Sequence, residues 1–316
     1  MDVSALAREI INNTQRVIIG KEKEIELIIS ALFSGGNVLI EDVPGTGKTM
    51  LSRAIAASIE GEYKRIQFTP DLLPGDLTGI TYFNPKEGEF IFRRGAIFTN
   101  VLLADEINRA TPRTQSALLE AMEEKQITVD GTTYTLNPPF FVIATQNPVE
   151  TQGTYPLPEA QLDRFTIKLS LGYPEREQYL DLINTHTKEN PLDTLEPVCK
   201  GEDIVNACLA CKDIYTHPDL VNYIVDLGEA TRCFEGIALG LSTRGILWAV
   251  NMSKAYCAVK GRKYVTPEDI KLIFPYVACH RLILKGGYKH RENYALDAVN
   301  EILAKVQVPT EDWSGS

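Results

Sequence analysis

One stretch of the chain decides its fold: Val38-Leu39-Ile40-Glu41-Asp42-Val43-Pro44-Gly45-Thr46-Gly47-Lys48-Thr49. It is an apolar run that leads into a glycine-rich loop, and a helical pattern follows over residues 50–59. This order of strand, loop and helix is typical of phosphate binding, because glycines let backbone N–H groups turn inward and the helix N-terminus adds positive potential. The stretch therefore predicts an α/β domain with a phosphate site.

The loop pattern also indicates which side chains meet a bound triphosphate. Lys48 would reach the β- and γ-phosphates, and Thr49 would hold Mg²⁺. Asp42 departs from the strict GxxxxGK[ST] pattern, which has a glycine there. A chance glycine-rich turn before a helix is the alternative, and the flanking strand and helix patterns count against it. The predicted nucleotide contacts in this stretch are Pro44, Gly45, Thr46, Gly47, Lys48, Thr49 and Met50.

A pair of acids follows a second apolar run, Val101-Leu102-Leu103-Ala104. Parallel strands bring their carboxyl ends to one edge of a sheet, so Asp105 and Glu106 are expected beside the phosphate loop. There Asp105 would position the metal and Glu106 would orient the attacking water. Taken alone, two acids after a strand fit a surface turn equally well. The sequence has no Asn/Thr-Lys-x-Asp stretch of the kind that reads guanine, so ATP is the predicted nucleotide.

Apolar runs and amphipathic stretches alternate through the first two-thirds of the chain, which is typical of a parallel sheet with crossover helices. Phe140-Phe141-Val142-Ile143-Ala144 is a third predicted central strand, and hairpins are predicted near residues 81–92 and 127–136. After Gly172-Tyr173-Pro174 the spacing is helical over residues 220–233, 243–260 and 267–284. We therefore predict an αβα domain over residues 1–174 and an α-helical domain over residues 175–316.

The net charge of −10 means that the surface as a whole repels nucleic acid and anionic membranes. Residues 254–305 lean basic, with ten Lys/Arg against five Asp/Glu, which is the usual pattern of a solvated helical face. The N-terminus lacks a signal pattern, and no apolar run is long enough to span a bilayer. The sequence thus predicts a cytoplasmic protein with no membrane insertion.

Six cysteines lie in the C-terminal half of the chain, and reduced thiols are expected in the predicted compartment. Cys208 and Cys211 have CxxC spacing, which raises the alternative of a zinc site. A second ligand pair is missing, and a helix would place the two thiols on one face. Core packing is therefore the favoured interpretation.

Several further phrases accompany the phosphate loop and together are far more specific than the loop alone. They are Ala104-Asp105-Glu106-Ile107-Asn108-Arg109-Ala110, Gln115-Ser116-Ala117-Leu118-Leu119-Glu120-Ala121-Met122-Glu123-Glu124, Ala144-Thr145-Gln146-Asn147-Pro148, Leu157-Pro158-Glu159-Ala160-Gln161-Leu162-Asp163-Arg164-Phe165 and Gly172-Tyr173-Pro174. With these phrases the chain resembles the MoxR family of AAA+ ATPases over essentially its whole length. The resemblance implies a P-loop NTPase αβα sandwich with a parallel sheet, an all-α lid, and ATP bound between them in a hexameric ring.

The resemblance also implies roles for single residues. Asn147 matches the sensor-1 position, where an amide can bind both the γ-phosphate and the lytic water. Arg164 matches the arginine finger that reaches a neighbouring subunit. Arg109 and Arg113, just beyond the acid pair, compete for that role or could instead couple subunits. Arg244 matches the sensor-2 arginine of the lid, although Thr243 stands where family members often have proline. Each arginine could instead be an ordinary surface or ion-paired residue.

Ile18, Ile19 and Gly20 resemble the segment that packs on adenine in such ATPases, or they form part of the core. In this branch of AAA+ proteins the two hairpins tend to face the central pore, which makes Phe83, Phe90 and Phe92 candidate partner contacts. The alternative is that these aromatic side chains pack beneath their hairpin.

The resemblance implies a function as well. ATP turnover, with ATP and Mg²⁺ as cofactors, would drive chaperone-like remodelling of a client protein. Proteins with a von Willebrand factor A domain are frequent associates of the family. An ATP-driven nucleic-acid motor is the rival function, since it shares this core, and the negative net charge counts against it. A nucleotide-binding switch that hydrolyses poorly is a third possibility.

Overall fold

In the computed structural model, helices and strands alternate through the N-terminal half of the chain and helices dominate the rest. The structure describes residues 1–149, 153–186, 191–288, 293–310 and 313. The strands are β1 (Val38–Glu41), β2 (Ile59–Glu60), β3 (Tyr63–Gln67), β4 (Gly79–Asn84), β5 (Glu89–Arg94), β6 (Val101–Asp105), β7 (Gln126–Val129), β8 (Thr132–Thr135), β9 (Phe141–Gln146), β10 (Ile167–Leu169), β11 (Cys199–Lys200), β12 (Ile237–Leu239) and β13 (Ile283–Leu284). The helices are α1 (Val3–Gln15), α2 (Glu22–Phe33), α3 (Lys48–Ala57), α4 (Pro74–Thr78), α5 (Pro112–Glu124), α6 (Glu159–Leu162), α7 (Arg176–His186), α8 (Gly201–Lys212), α9 (Pro218–Cys233), α10 (Thr243–Val259), α11 (Pro267–Ala278) and α12 (Tyr294–Lys305).

Five strands form a parallel sheet in the order β10-β1-β9-β6-β3. The three predicted apolar runs are its central strands β1, β6 and β9. Both faces of a parallel sheet are covered, so its strands are apolar throughout, and each fully buried aliphatic side chain contributes about 1.5–3 kcal/mol. The carboxyl ends of these strands meet at one edge, where the phosphate loop begins.

The two faces of the sheet pack against different helices. Val38 and Ile40 of β1 join a buried cluster with α1, α2 and α3. Leu39, on the other face, joins a second cluster to which α5 contributes Leu118 and Leu119. Alternate residues of one strand thus serve opposite layers. This is the predicted αβα sandwich.

An antiparallel pair of strands lies at each position where a hairpin is predicted. β4 pairs with β5, and β7 pairs with β8. Asp130 and Gly131 connect β7 and β8, and both have positive φ angles of 50° and 79°, as a type I′ turn requires. The two hairpins touch each other, because the ring of Phe92 on β5 stacks on that of Tyr134 on β8 with centroids 4.3 Å apart.

The C-terminal helices do not form an isolated body. α8 and α10 pack against α1 and α2, and one buried cluster contains residues of all four helices. The division of the chain at residue 174 therefore stays a prediction. Cys211 of α8 is buried in this cluster, and the Cys208 thiol donates to the carbonyl of Leu32. Among the described residues no helix is long and apolar enough to cross a membrane.

Three features differ from the sequence-based expectation. β3 and β10 are strands that the apolar runs do not reveal. Short strands also occur among the C-terminal helices, where β11 pairs with β2 and β12 pairs with β13. The helix predicted over residues 267–284 ends at Ala278, because the buried Arg281 turns the chain towards β10, where it donates to the carbonyl of Thr166 at 3.2 Å.

Candidate functional site

The phosphate loop bends at two glycines. Gly45 and Gly47 have φ angles of 84° and 89°, a backbone region in which any side chain would be strained. Gly47 is the N-cap of α3, and the described structure records no side-chain hydrogen bond capping this helix. The first N–H groups of α3 therefore lack the side-chain partner that a Ser, Thr, Asn or Asp cap would supply. A helix N-terminus of this kind suits an anion.

Lys48 is the first residue of α3, and its ammonium folds back over the loop. It donates to the backbone carbonyls of Asp42 at 2.5 Å and Val43 at 3.1 Å. Burial lowers the pKa of Lys48, while the nearby carboxylates of Asp42, Asp105 and Glu106 oppose that shift. The acid pair thus lies within electrostatic reach of the lysine, as the strand order predicts.

Asp105 is the last residue of β6, and its carboxylate is buried. One oxygen accepts a 2.6 Å hydrogen bond from the Thr145 hydroxyl of β9, and the other accepts from Arg65 of β3 at 2.7 Å. Three neighbouring strands therefore hold this side chain at the sheet edge. Sequence reasoning missed Thr145 and Arg65 as partners.

Glu106 follows Asp105 in a left-handed conformation with φ 55°. Its N–H donates to the Thr145 hydroxyl at 2.9 Å, which fixes the turn. Its carboxylate accepts from Gln67 at 2.7 Å and from Arg109 at 3.1 Å. A strained non-glycine residue held by such contacts is common at functional sites.

Arg65 and Gln67 belong to this site although no sequence motif singled them out. They lie two residues apart on β3, so both side chains are on one face of the strand. The available signal was a pair of polar residues at this spacing before the Phe68-Thr69-Pro70 turn. Its meaning depends on the register that sets Gln67 opposite Asp105.

Asp42 has a structural role that accounts for its departure from the glycine of the strict pattern. One carboxylate oxygen accepts from the N–H of Val43 at 2.8 Å. The other accepts from the N–H groups of Leu171 and Gly172, each at 2.8 Å, and from the Ser170 hydroxyl at 3.2 Å. The start of the phosphate loop is thereby fastened to the segment that leads into α7.

Asn147 comes directly after β9 at the same edge of the sheet and is buried. Its side-chain oxygen accepts from the N–H of Val149 at 3.1 Å, and its carbonyl accepts from Asn108 at 3.4 Å. Thr49 is half-buried in the first turn of α3. The structure therefore brings Lys48, Thr49, Asp105, Glu106 and Asn147 to the carboxyl ends of adjacent strands.

Arg164 and Arg244 lie together in a separate cluster. Both pair with the carboxylate of Glu123, Arg164 at 3.1 Å, and Arg244 also reaches Asp163 at 3.7 Å. Asp163 in turn pairs with the buried Arg281 at 2.8 Å. Within the described residues no hydrogen bond or ion pair links Arg164 or Arg244 to the phosphate loop. Glu123, which joins the two arginines, was not predicted.

Ile18, Ile19 and Gly20 lie between α1 and α2. Ile18 packs against the core, and Gly20 has a φ of 74°. The side chain of Gln178 on α7 covers Gly20 and donates to its carbonyl at 3.4 Å. Of the alternative finger residues, Arg109 binds Glu106, while Arg113 is exposed in the first turn of α5.

The donors at this site suit a magnesium nucleotide. Mg²⁺ prefers hard oxygen ligands, and a hydroxyl (Thr49) and a carboxylate (Asp105) are present. The glycine-bent loop, the uncapped helix N-terminus and Lys48 suit phosphate groups. The residues therefore fit Mg-ATP.

Comparisons with known proteins agree with this arrangement. Residues 37–167 match the ATPase family associated with various cellular activities (AAA), and residues 229–302 match the AAA lid domain. Chaperone MoxR1 of Mycobacterium tuberculosis is 36% identical over 98% of this chain and 83% of its own. The chain belongs to the MoxR family of AAA+ ATPases.

Two further proteins are similar to this chain over nearly its whole length. YeaC of Bacillus subtilis is 46% identical over 98% of this chain and 97% of its own. A crystal structure from Cytophaga hutchinsonii superposes with a TM-score of 0.91 at 36% identity, covering 98% and 96% of the two chains. The P-loop fold with its AAA lid is thus shared along nearly the whole length of this MoxR family member.

Proposed function

We propose that this MoxR family member hydrolyses ATP in a Mg²⁺-dependent reaction and uses the turnover to remodel a client protein. The observation that carries the proposal is the grouping of Lys48, Thr49, Asp105 and Glu106 at one sheet edge. Lys48 neutralises phosphate charge, Thr49 and Asp105 hold the metal, and Glu106 orients the attacking water. Mg²⁺ supplies charge neutralisation on the phosphoryl oxygens when bound.

Glu106 must exchange partners for this role, since Gln67 and Arg109 now occupy its carboxylate. Asn147, at the end of the neighbouring strand, is proposed to bind the γ-phosphate and the water from the other side. Ile18, Ile19 and Gly20 are proposed to contact the adenine. Each step rests on hydrogen bonding and charge that the chain itself provides.

The position of Arg164 and Arg244 supports a ring, for which we propose six subunits. Arg164 and Arg244 both pair with Glu123, and Arg244 also reaches Asp163, the residue before Arg164. We therefore propose that the two arginines act together on the nucleotide of a neighbouring subunit. A guanidinium suits that task, since its planar fork spreads positive charge over several phosphoryl oxygens. The site is then complete only between two copies.

The hairpin β4–β5 is proposed to touch the client. Phe83 and Phe90 pair at its surface with ring centroids 5.4 Å apart and remain 52% and 74% exposed. Phe92 lies on the inner side, against Phe98 and Tyr134. We infer that Phe83 and Phe90 contact the partner, for which a von Willebrand factor A domain protein is the first candidate, and that Phe92 is structural.

The test is ATP turnover by the purified protein with and without Mg²⁺. Lys48→Ala is expected to abolish nucleotide binding, and Glu106→Gln to bind ATP while lowering turnover by about a hundredfold or more. Equal rates for wild type and Glu106→Gln would refute catalysis at this site. The stalled Glu106→Gln protein, used as bait in a lysate of the native host, should retain the client, whereas Phe90→Ala in the same background should release it.

A further inference from the structure

A cavity of about 250 Å³ lies at the amino ends of β1 and β9, the edge of the sheet opposite to the phosphate loop. Gly35 and Gly36, just before β1, line it together with Phe140 and Phe141 at the start of β9. An apolar cavity of about 150 Å³ is large enough to bind benzene. The cavity at this edge therefore has room for a small organic molecule, and it is separate from the nucleotide site.

The walls of this cavity are mainly apolar. Leu32 of α2 and the residues Leu136, Phe140 and Phe141 are between 1% and 6% exposed. Leu209 of α8 also lines the cavity and is 54% exposed, so the opening lies beside α8. Walls of this kind favour a ligand with an apolar body, because they remove its surface from water.

One ammonium is held at this cavity by the backbone around it. Lys125 ends α5, where its N–H donates to the carbonyl of Ala121 at 3.1 Å and its own carbonyl accepts from the N–H of Leu136 at 2.9 Å. Its ammonium donates to the carbonyl of Phe140 at 3.2 Å and lies 5.4 Å from the centroid of that ring. An ammonium has three N–H donors, so Lys125 can bind a further acceptor while it keeps the Phe140 bond.

The lining of the cavity carries positive charge and no acid. Lys212 of α8 is its other lysine, and none of the described lining residues is an aspartate or a glutamate. Burial lowers the pKa of Lys125 to about 8, and the group that opposes this shift is the Cys208 thiol, not a carboxylate. That thiol already donates to the carbonyl of Leu32 at 3.3 Å. Lys125 is therefore the group that sets the chemistry of a ligand's polar end.

We propose that this cavity binds a small carboxylate with an apolar body, a fatty acid of about eight carbons, which is somewhat larger than benzene. The carboxylate accepts a charge-assisted hydrogen bond from the Lys125 ammonium, and the hydrocarbon chain lies against Phe140 and Phe141. A buried ammonium is costly unless it is paired, so a carboxylate is favoured over an uncharged head group. The bound molecule connects α5 and β9 with α8.

The direct test is a calorimetric titration of the whole chain at pH 7 with octanoate, and with 1-octanol as an uncharged ligand of the same length. One octanoate should bind per chain. Lys125→Met should lower the affinity for octanoate by about tenfold, because a charge-assisted hydrogen bond is lost, and change the affinity for 1-octanol by less than about twofold. Lys285→Met, at an exposed lysine outside the lining, is the matched control and should bind both ligands as wild type does.

A second variant tests the cavity without removing its charge. Val205 lies on α8, lines the cavity and is half-buried. Val205→Trp should fill the space and lower the affinity for octanoate and for 1-octanol alike by about tenfold or more. This variant also keeps the test decisive if Lys125→Met fails to fold. Lys48→Ala, at the phosphate loop, should bind octanoate as wild type does.

The dependence of affinity on pH separates recognition of the carboxylate from apolar binding alone. The ammonium of Lys125 is lost as the pH rises past its pKa of about 8, so the affinity for octanoate should fall by about fivefold to tenfold between pH 7 and pH 9.5. The affinity for 1-octanol should not change. The other titratable groups of the lining are the exposed Lys212 and Cys208, whose pKa is raised by burial. Lys212→Met should keep the pH dependence, and Lys125→Met should lose it.

Four results would overturn the proposal. Octanoate could fail to bind at about 10 mM, bind Lys125→Met as tightly as wild type, or bind Val205→Trp without loss. A peptide that ends in leucine could also bind more tightly than octanoate, in which case the occupant would be a protein tail. Octanoate binding that depends on both Lys125 and Val205, and not on Lys48, would support it.

Discussion

Asp42 Oδ2 and the backbone N–H of Gly172 form a 2.8 Å hydrogen bond that links the phosphate loop to the entrance of α7. Lys21 also binds this segment, because its ammonium donates to the backbone carbonyls of Leu171 and Tyr173. Both donors and acceptors of this short segment are therefore engaged. Asp42 and Lys21 thus hold the segment that leads into α7 against the start of the phosphate loop and the start of α2.

Replacing Asp42 should show whether its side chain anchors the phosphate loop or acts only through its negative charge. Asp42→Asn keeps the shape and removes the charge that strengthens its hydrogen bonds to Leu171 and Gly172, so we expect about 2 kcal/mol of lost stability and weaker ATP binding. Ser170→Ala, which removes only the 3.2 Å contact, should cost less than about 1 kcal/mol. Urea unfolding and nucleotide titration measure both effects. Tighter ATP binding by Asp42→Asn would mean that Asp42 acts only by repelling phosphate.

The aromatic residues of the β4–β5 hairpin should differ in how much they stabilise the protein, according to how their rings pack. Phe92→Ala is expected to destabilise the protein by about 2 kcal/mol, because its ring stacks on Tyr134 and meets Phe98 edge to face. Phe90→Ala, at a side chain that is 74% exposed, should change stability by less than about 0.5 kcal/mol. Chemical unfolding of the two variants makes the comparison. Equal losses would place Phe90 in the folded core of the hairpin pair and remove it as a client contact.

The central strands could be predicted because they are buried on both faces and therefore apolar without interruption. β3 escaped prediction for the opposite reason. Its sequence, Tyr63-Lys64-Arg65-Ile66-Gln67, is largely polar because Arg65 and Gln67 serve the two carboxylates of the site. Residues that a site requires can thus mask the strand that carries them.

The order of the phosphate loop, the acid pair and Asn147 followed from motifs, whereas their partners did not. Thr145 and Gln67 reach the acid pair, and Glu123 reaches the separate cluster of Arg164 and Arg244, through strand register and through contacts distant in sequence. The residue at which α11 ends is likewise set by contacts distant in sequence. Helical spacing continues past Ala278, but Arg281 finds buried acceptors near β10 and ends the helix. Tertiary contacts decide such details, and local patterns do not contain them.

ATP affinity should fall as the pH rises. The midpoint of this fall should lie at a lower pH than the deprotonation of an ordinary lysine would give. Burial lowers the pKa of Lys48 below its usual value of 10.5, so the ammonium that meets the phosphates is lost earlier as the pH rises. Asp42→Asn should move this loss to lower pH still, because Asp42 is the leading carboxylate that opposes the shift. Nucleotide affinity measured between pH 7 and pH 10.5 checks both points. An identical midpoint in the two proteins would exclude Lys48 as the titrating group.

The free energy of unfolding should depend on the protonation of a second lysine, Lys125. This residue ends α5 in a left-handed conformation just before the β7–β8 hairpin. Its ammonium donates to the carbonyl of Phe140 at 3.2 Å, and burial lowers its pKa to about 8. The unfolded chain has an ordinary lysine pKa of about 10.4 and so binds more protons between these two values. The contribution of Lys125 to the free energy of unfolding should therefore increase as the pH rises from about 8 to about 10.4, by about 3 kcal/mol in all.

Lys125→Met removes this titration, so the stability of wild type relative to the variant should rise over the same pH range. Urea unfolding at several pH values gives the difference, and subtraction cancels the groups that titrate in both proteins. Lys285→Met, at an exposed lysine, is the control for the loss of a lysine side chain. A pH-independent difference for Lys125→Met would mean that the buried ammonium keeps an ordinary pKa. In that case the link from α5 to the hairpin would rest on the Phe140 contact alone.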